Sequence, residues 1–371
     1  MSEDYFWLVL KCYNLSGLRK SSNGFLRVLS VYILYPIMLI IFGMTIYNIR
    51  YRHSNIFEIT EVFISICYFL HMVLRKTLLM KNSSLYEEIL EQQFHYWNYG
   101  LFGESTETKL RKNMEICVSI LKFLLMNASI SVGLHSISPF FVKSLQLPQS
   151  CWIPENNPIA RDVIYLFLVI LYVECINYVV VFDGFYLLIA TNIRTQFVLL
   201  QKAADSIKLK SGEEEIIWAK LKKYSQYHSF ILSVHKKLNK IYSEFFLCNY
   251  ILTILGTCIP LFIIFDRSSN IAEILESIIV AFIINVLLVM VFIPASNIEI
   301  EAEKLVFHIY NINWYETRNL KIRKFILFWL MQAQVPVQLT GGGMLTINRT
   351  LMLQIQRIGV SFSTLLTGLA P

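Results

Sequence analysis

The twenty residues from Val28 to Tyr47, VLSVYILYPIMLIIFGMTIY, carry no charged side chain. About twenty such residues are what an α-helix needs to cross the hydrocarbon of a bilayer. In lipid the backbone must satisfy its own N–H and C=O groups, so a run of this kind has one stable outcome, a spanning helix. Six further apolar runs follow at Ile59–Leu74, Met114–Val142, Val163–Ala190, Phe245–Phe265, Ile274–Ile298 and Met344–Leu369. Composition agrees: 55% of the residues are hydrophobic and 16% charged, against roughly 45–50% and 25% in soluble domains. The sequence predicts an all-α membrane protein with seven transmembrane helices. The first run starts far from Met1 and lacks a small-residue cleavage site, so it reads as the first span and not as a signal peptide.

Lysine and arginine predict the orientation. Segments on the N-terminal side of the membrane hold twenty-five of the cations, ten of them between Arg194 and Lys240, whereas the opposite side holds five: Arg50, Arg52, Lys143, Arg161 and Arg267. The positive-inside rule then places the N-terminus in the cytoplasm and, with seven spans, the C-terminus outside. This is the reverse of a G-protein-coupled receptor. The net charge of +7 needs no nucleic-acid partner, because cytoplasmic loops beside anionic lipid account for it.

Much of the remaining length lies on the cytoplasmic side. After Glu213, apolar residues recur at Ile217, Leu221, Tyr224, His228, Ile231, Leu238, Tyr242 and Phe245, a helical spacing that runs into the fifth span. The fourth span continues past Asp183 and Arg194 toward Ala204, and the sixth continues through EIEAEKLVFHIYNINWY. Apolar stripes on helices outside the bilayer must be buried. A cytoplasmic bundle is therefore expected from extensions of helices 4, 5 and 6 and the first part of helix 7, with Glu316–Ala333 included. The chain divides into a cytoplasmic N-terminus (1–27), six spans with their extensions (28–298, the extensions covering about 183–244), a cytoplasmic anchor segment (299–340) and the last spanning helix (341–371).

That last helix follows QVPVQLTGGG, with Pro336 and Gly341, Gly342 and Gly343. The glycines allow positive backbone angles and so a separately aimed helix. On it Arg357, Ser361, Thr364 and Gly368 are spaced by four, three and four residues, which is one narrow face. A polar stripe on a spanning helix faces protein or water. It is either a packing surface, favoured by the small residues around it, or a pore lining, and the pattern alone leaves both open.

Other chemistry finds no support. The cysteines form neither a CxxC pair nor a disulfide framework, His228 and His235 stand too far apart to share a metal, and no HExxH, GxSxG or P-loop occurs. No metal, cofactor or enzymatic activity is expected. Glu174 and Asp183 in the fourth span suggest an ion site, but no internal repeat supports a transporter.

From Ala302 onward the chain resembles the C-terminal signature of insect odorant receptors. The residues concerned are Tyr310, Trp314–Tyr315, basic Lys321, Arg323 and Lys324, Gln334 with Pro336, Gly341–Gly343, Thr350 and a closing SFSTLL at Ser361–Leu366. Leu351 stands where an aromatic residue is common. The resemblance implies a multi-pass protein of the plasma membrane, in the dendrite of a sensory neuron. It implies the odorant-binding subunit of a ligand-gated, non-selective cation channel, a tetrameric hetero-oligomer with the shared co-receptor. Tyr310, Trp314, Tyr315 and Gln334 would anchor subunits to one another. Arg357, Ser361, Thr364 and Gly368 would line the pore, with the gate at Thr364 and Gly368, and Pro336 with the three glycines would form the hinge. A volatile odorant calls for a closed, aromatic-rich cavity, placed by the resemblance in the outer half of spans two, three, four and six. The candidates are Ile64 and Tyr68; Ser131, His135 and Ser138; Tyr165, Val169 and Tyr172; and Ser277 and Ala281. Each has a plain structural reading as interfacial anchor or packing element, and His135 among aliphatic residues needs a partner either way. The alternative is a gustatory receptor channel that works without the co-receptor; a G-protein-coupled receptor lacks both its topology and its motifs here.

Overall fold

The computed structural model describes residues 3–51, 56–141, 147–154, 157–209, 212–265 and 271–369. Arg52, Lys143, Lys210 and Arg267 of the charge count fall outside them. The order of elements is α1 (Glu3–Leu15), α2 (Gly24–Val28), a π-helical turn (Leu29–Leu34) and α3 (Tyr35–Tyr47), then α4 (Ile56–Lys81), α5 (Ser83–Gln92) and α6 (Glu104–Phe141). They are followed by α7 (Pro158–Tyr178), a second π-helical turn (Val179–Asp183), α8 (Gly184–Asp205), α9 (Glu214–Phe265), α10 (Ile271–Tyr310), α11 (Leu320–Ala333), a two-stranded hairpin of β1 (Thr340–Gly341) and β2 (Leu345–Thr346), and α12 (Arg349–Leu369).

Among the described residues, six of these helical stretches are long and apolar enough to cross a membrane, and each overlaps one of the first six runs read from the sequence. The protein is a nearly all-helical, multi-pass membrane protein. The 21 residues of α12 rise about 1.5 Å each, enough to cross.

The chain buries its apolar surface in two places. The larger core gathers α8, the lower parts of α9 and α10, α11, α5 and α1, with Trp329, Leu221, Ile231, Leu238 and Leu305 fully enclosed. This is the bundle that the helical spacing calls for. Burial of each such side chain is worth roughly 1.5–3 kcal/mol, which explains why α9 continues unbroken over 52 residues. The connection after α5 is docked as well: Trp97 stacks on Tyr227 at 3.8 Å, and the Tyr227 hydroxyl donates to Gln196 Oε1 at 2.6 Å.

The N-terminal segment is docked, with Phe6, Val9, Cys12 and Tyr13 on one face of α1 buried in the larger core. Two expected helix bounds are corrected. The sixth helix stops at Tyr310, short of Trp314–Tyr315, where Asn313 takes a positive φ of 56°. Residues 316–319 precede α11, whose first turn is capped by Asn319 Oδ1 accepting from the backbone of Lys321 and Ile322.

The smaller core lies at the end that the charge count assigns to the outside. Met38, Ile41, Phe69, Met72, Ile164, Leu168 and Leu171 of α3, α4 and α7 meet there beneath Leu147 and Cys151 of the 147–154 loop.

Candidate ligand site and terminal helix

Tyr68 of α4 and Tyr172 of α7 meet edge to face beside the smaller core with ring centroids 5.6 Å apart. Tyr172 is 4% exposed, and its hydroxyl donates to Gln149 Oε1 at 2.9 Å. Val169 lies half-buried one turn earlier on α7, and Ile64, one turn before Tyr68, is half-exposed. Tyr165 donates to the Ser136 carbonyl of α6 at 2.8 Å and sets its ring against Phe140. Aromatic faces, aliphatic side chains and a few fixed polar groups make a surface suited to a small, mostly apolar molecule.

The rest of the expected set is not gathered there. Ser131 and His135 are exposed on α6. His135 Nδ1 lies 3.0 Å from the Ser131 carbonyl of its own helix, and Ser138 donates to the His135 carbonyl at 2.9 Å. The partner that a histidine in a span requires is thus supplied locally, and no buried position is needed. Ser277 is buried and Ala281 half-buried on α10, but Asn285, one turn on from Ala281, accepts from Gln356 of α12 at 2.8 Å. That stretch of α10 is held beside α12.

Beneath the smaller core lies a charged layer. Lys76 is fully buried and donates to Glu174 Oε1 at 2.7 Å. The same oxygen accepts from Ser30 and Tyr178. Arg75 pairs with Asp183 at 2.9 Å and lies over the Phe245 ring of α9. Both acids of the fourth span are therefore held by neighbouring cations of α4, and the ion-site reading of them falls. Ser30 and Asp183 belong to the two π-helical turns. Such turns widen a helix locally and re-aim side chains.

The terminal helix has one packing face. Ile355, Gly359 and Ser363 are buried, and a Cβ on Gly359 would come within 2.7 Å of Thr257 Cγ2 on α9. Arg357, Ser361 and Thr364 are exposed, on the side opposite that seam by the 3.6-residue repeat. The helix continues through Gly368 into its last turn. The glycine segment is a hairpin, with Thr340 opposite Thr346 and Gly341 opposite Leu345. Gly342 and Gly343 have φ of 60° and 73°, whereas Gly341 is not in the left-handed region. Pro336 is exposed just before it. The hairpin is fixed to α9 through Gly342 N–H to the Ser243 carbonyl at 3.0 Å and Thr340 N–H to Asn239 Oδ1 at 2.7 Å. Tyr310, Tyr315 and Gln334 are exposed on the bundle and Trp314 is half-buried, its ring edge-on to Tyr315.

Among the described residues no group of three or more histidine, cysteine or acidic side chains is placed to hold a metal ion. Sequence reasoning missed Gln149, the docking of α1, and the partners of Glu174 and Asp183. The only available signal for the last was the Arg75–Lys76 pair at the foot of an apolar run.

Comparison with known proteins agrees with this architecture. Residues 54–357 match the 7tm Odorant receptor family. Odorant receptor 82a of Drosophila melanogaster is 24% identical over 203 residues, covering 54% of this chain and about half (51%) of that relative's length. The olfactory receptor OR5 of Machilis hrabei, solved alone and in complex with eugenol, superposes with a TM-score of 0.77 over 99% of this chain and 100% of that one, at 14% identity. A helical membrane fold shared along the whole chain, with a family match over most of its length, places the protein outside the enzymes: it belongs to the odorant receptor family.

Proposed function

We propose that the chain is the odorant-binding subunit of a heteromeric, ligand-gated, non-selective cation channel, assembled with the family's co-receptor. The seven spans, with α12 as the seventh, have the N-terminus and the bundle in the cytoplasm. The observation that carries the reading is the orientation of α12: its small-residue seam is used on α9, and Arg357, Ser361 and Thr364 point away from the rest of the chain. Polar side chains on a spanning helix, left uncovered by their own subunit, need water or another subunit beside them. A second feature supports assembly. Phe307, Tyr310, Leu320, Phe328, Met331 and Val335 are each more than half exposed on the bundle, outside the apolar runs, where a lone subunit would set them in water. The ligand site is the smaller core around Tyr68 and Tyr172.

Expression in a cell line tests this. With the co-receptor, an odorant panel should evoke cation current; the chain alone should give little. Robust current from the single chain would move it to the gustatory type, and absence of any response with the co-receptor at the surface would defeat the reading.

A further inference from the structure

We propose that Gln149 is a specificity-determining residue of the odorant site, one that selects small apolar molecules carrying a hydrogen-bond acceptor oxygen, such as ketones, aldehydes and esters. The proposal rests on reading the smaller core as the odorant site.

The 147–154 loop does not depend on Gln149 for its position. Leu147 and Cys151 are buried beneath it, Asn48 Nδ2 donates to Ser150 Oγ at 3.0 Å, and Trp152 sets its ring edge-on to Tyr47. The half-buried Gln149 carboxamide is left free to face α4 and α7. Its orientation follows from its two neighbours: Nε2 faces the Ser65 carbonyl at 3.4 Å, and a carbonyl can only accept, so Oε1 must be the atom that receives the Tyr172 proton. The Ser65 bond is long, and that carbonyl already serves the ladder of α4. The second N–H of Nε2 has no partner among the described residues. Tyr172 has spent its proton on Gln149. The polar group on offer beside the Tyr68–Tyr172 pair is therefore a donor on a half-buried side chain, and a ligand that covers it without pairing it would leave an unmade donor, which is costly. A ligand carbonyl satisfies it. An alcohol gains less, and an alkane nothing.

The test compares acetophenone with its alcohol, phenylethanol, and with ethylbenzene, alongside a panel of ketones and esters with their carbon-matched alcohols and alkanes. Two readouts are used: current with the co-receptor, and thermal stabilisation of the purified full chain in detergent. Wild type should respond best to the carbonyl-bearing members. Gln149→Glu keeps an oxygen for Tyr172 but removes the N–H, and should weaken the carbonyl ligands about tenfold while leaving alkanes unchanged. Gln149→Leu should do the same, and Tyr172→Phe should blunt the selectivity by freeing the amide to turn. Surface labelling, with the unchanged alkane response, separates these effects from misfolding. Equal shifts for all three chemical classes, or none, would overturn the proposal, as would a wild-type preference for alkanes or alcohols. Stabilisation by carbonyl compounds without any current would refute the channel reading and leave Gln149's role standing; silence in both readouts would refute both.

Discussion

Removing the ammonium of Lys76 while leaving Glu174 in place should be among the most damaging single changes outside the large core. The Lys76 side chain is 0% exposed and that of Glu174 9%, so the carboxylate of a Lys76→Met variant would remain buried with only the Ser30 and Tyr178 hydroxyls on Oε1. Breaking a buried pair on one side costs about 3–5 kcal/mol, whereas replacing both partners with apolar groups is often near neutral. Taking an unfolding entropy of roughly 2.1 cal/mol/K per residue over 371 residues, that loss lowers the melting midpoint by about 4–6 °C. Lys81→Met is the internal comparison, since Lys81 and Glu244 are 57% and 58% exposed and such pairs contribute about 0–1 kcal/mol. Melting of detergent-solubilised protein, followed by size-exclusion chromatography with fluorescence detection, gives the midpoints. The expected order is a clear drop for Lys76→Met, nearly none for Lys81→Met, and recovery of most of the drop in Lys76→Met/Glu174→Leu. Equal drops for Lys76→Met and Lys81→Met, or a double variant as unstable as the single, would refute the account of the layer as a desolvated pair.

Gly342→Ala should impair channel current more than Gly343→Ala, because both positions have positive φ but only at Gly342 would the new Cβ also meet Leu247 Cδ2, at 2.7 Å; the strain common to both is about 1–2 kcal/mol, and current normalised to surface protein compares them. His228 and His235 are buried in the bundle, which pushes both imidazoles down to about 4, below the unfolded value near 6.5. The unfolded chain then binds more protons between those limits, so the melting midpoint should hold above about pH 6.5 and fall as pH drops toward 4; a flat profile would count against burial, and His228→Phe should reduce the slope. Cysteines at 357, 361 and 364 should react with a water-soluble thiol reagent applied from outside and alter current, whereas cysteines at 355, 359 and 363, on the seam with α9, should not; equal reaction on both faces would withdraw the gate assignment to Thr364 and Gly368. Phe328→Asp with Met331→Asp should reduce co-purification of the co-receptor, and unchanged pull-down would separate this exposed surface from assembly.

What the sequence made legible were features written in local periodicity. The charge-free Val28–Tyr47 run and the three-and-four spacing from Ile217 to Phe245 each state their own structure, because a span and an amphipathic helix are decided within a few turns. Contacts between distant segments have no such signature. Nothing near Lys76 announces Glu174, 98 residues away, so its charge was counted with the loops although it is buried. Nothing in Phe6, Val9 and Tyr13 distinguishes a docked helix from a surface one. His135 was weighed as an interior group because a histidine in a span needs a partner, and its own helix turned out to provide one. For the glycines, positive φ at Gly342 and Gly343 was legible. The hairpin was not, since it depends on Asn239 and Ser243 of another helix.

These long-range contacts also form a continuous physical route from the smaller core to the terminal helix. Tyr68, His71 and Arg75 lie at i, i+3 and i+7 on one face of α4. The first meets Tyr172, the second faces the Phe245 ring at 6.2 Å, and the third grips Asp183 while lying over the same Phe245. One turn of α9 around Phe245 holds the hairpin, through Ser243 on one side and the backbone of Phe246 and Leu247 packed against Gly341 on the other. The hairpin leads directly into α12. A ligand that displaced Tyr68 by even a fraction of an ångström would act on a close-packed seam with a buried ion pair at its centre, and packed interiors transmit such strain. Intermediate position alone does not establish coupling; coupling here predicts non-additivity. Tyr68→Ala and Gly342→Ala, each lowering odorant sensitivity, should combine to less than the sum of their free-energy effects on the half-maximal concentration, while either one combined with a surface substitution on α11 such as Lys324→Met should simply add. Strict additivity of the first pair would mean that the smaller core and the hairpin affect current independently, and the route through Phe245 would then be a packing contact only.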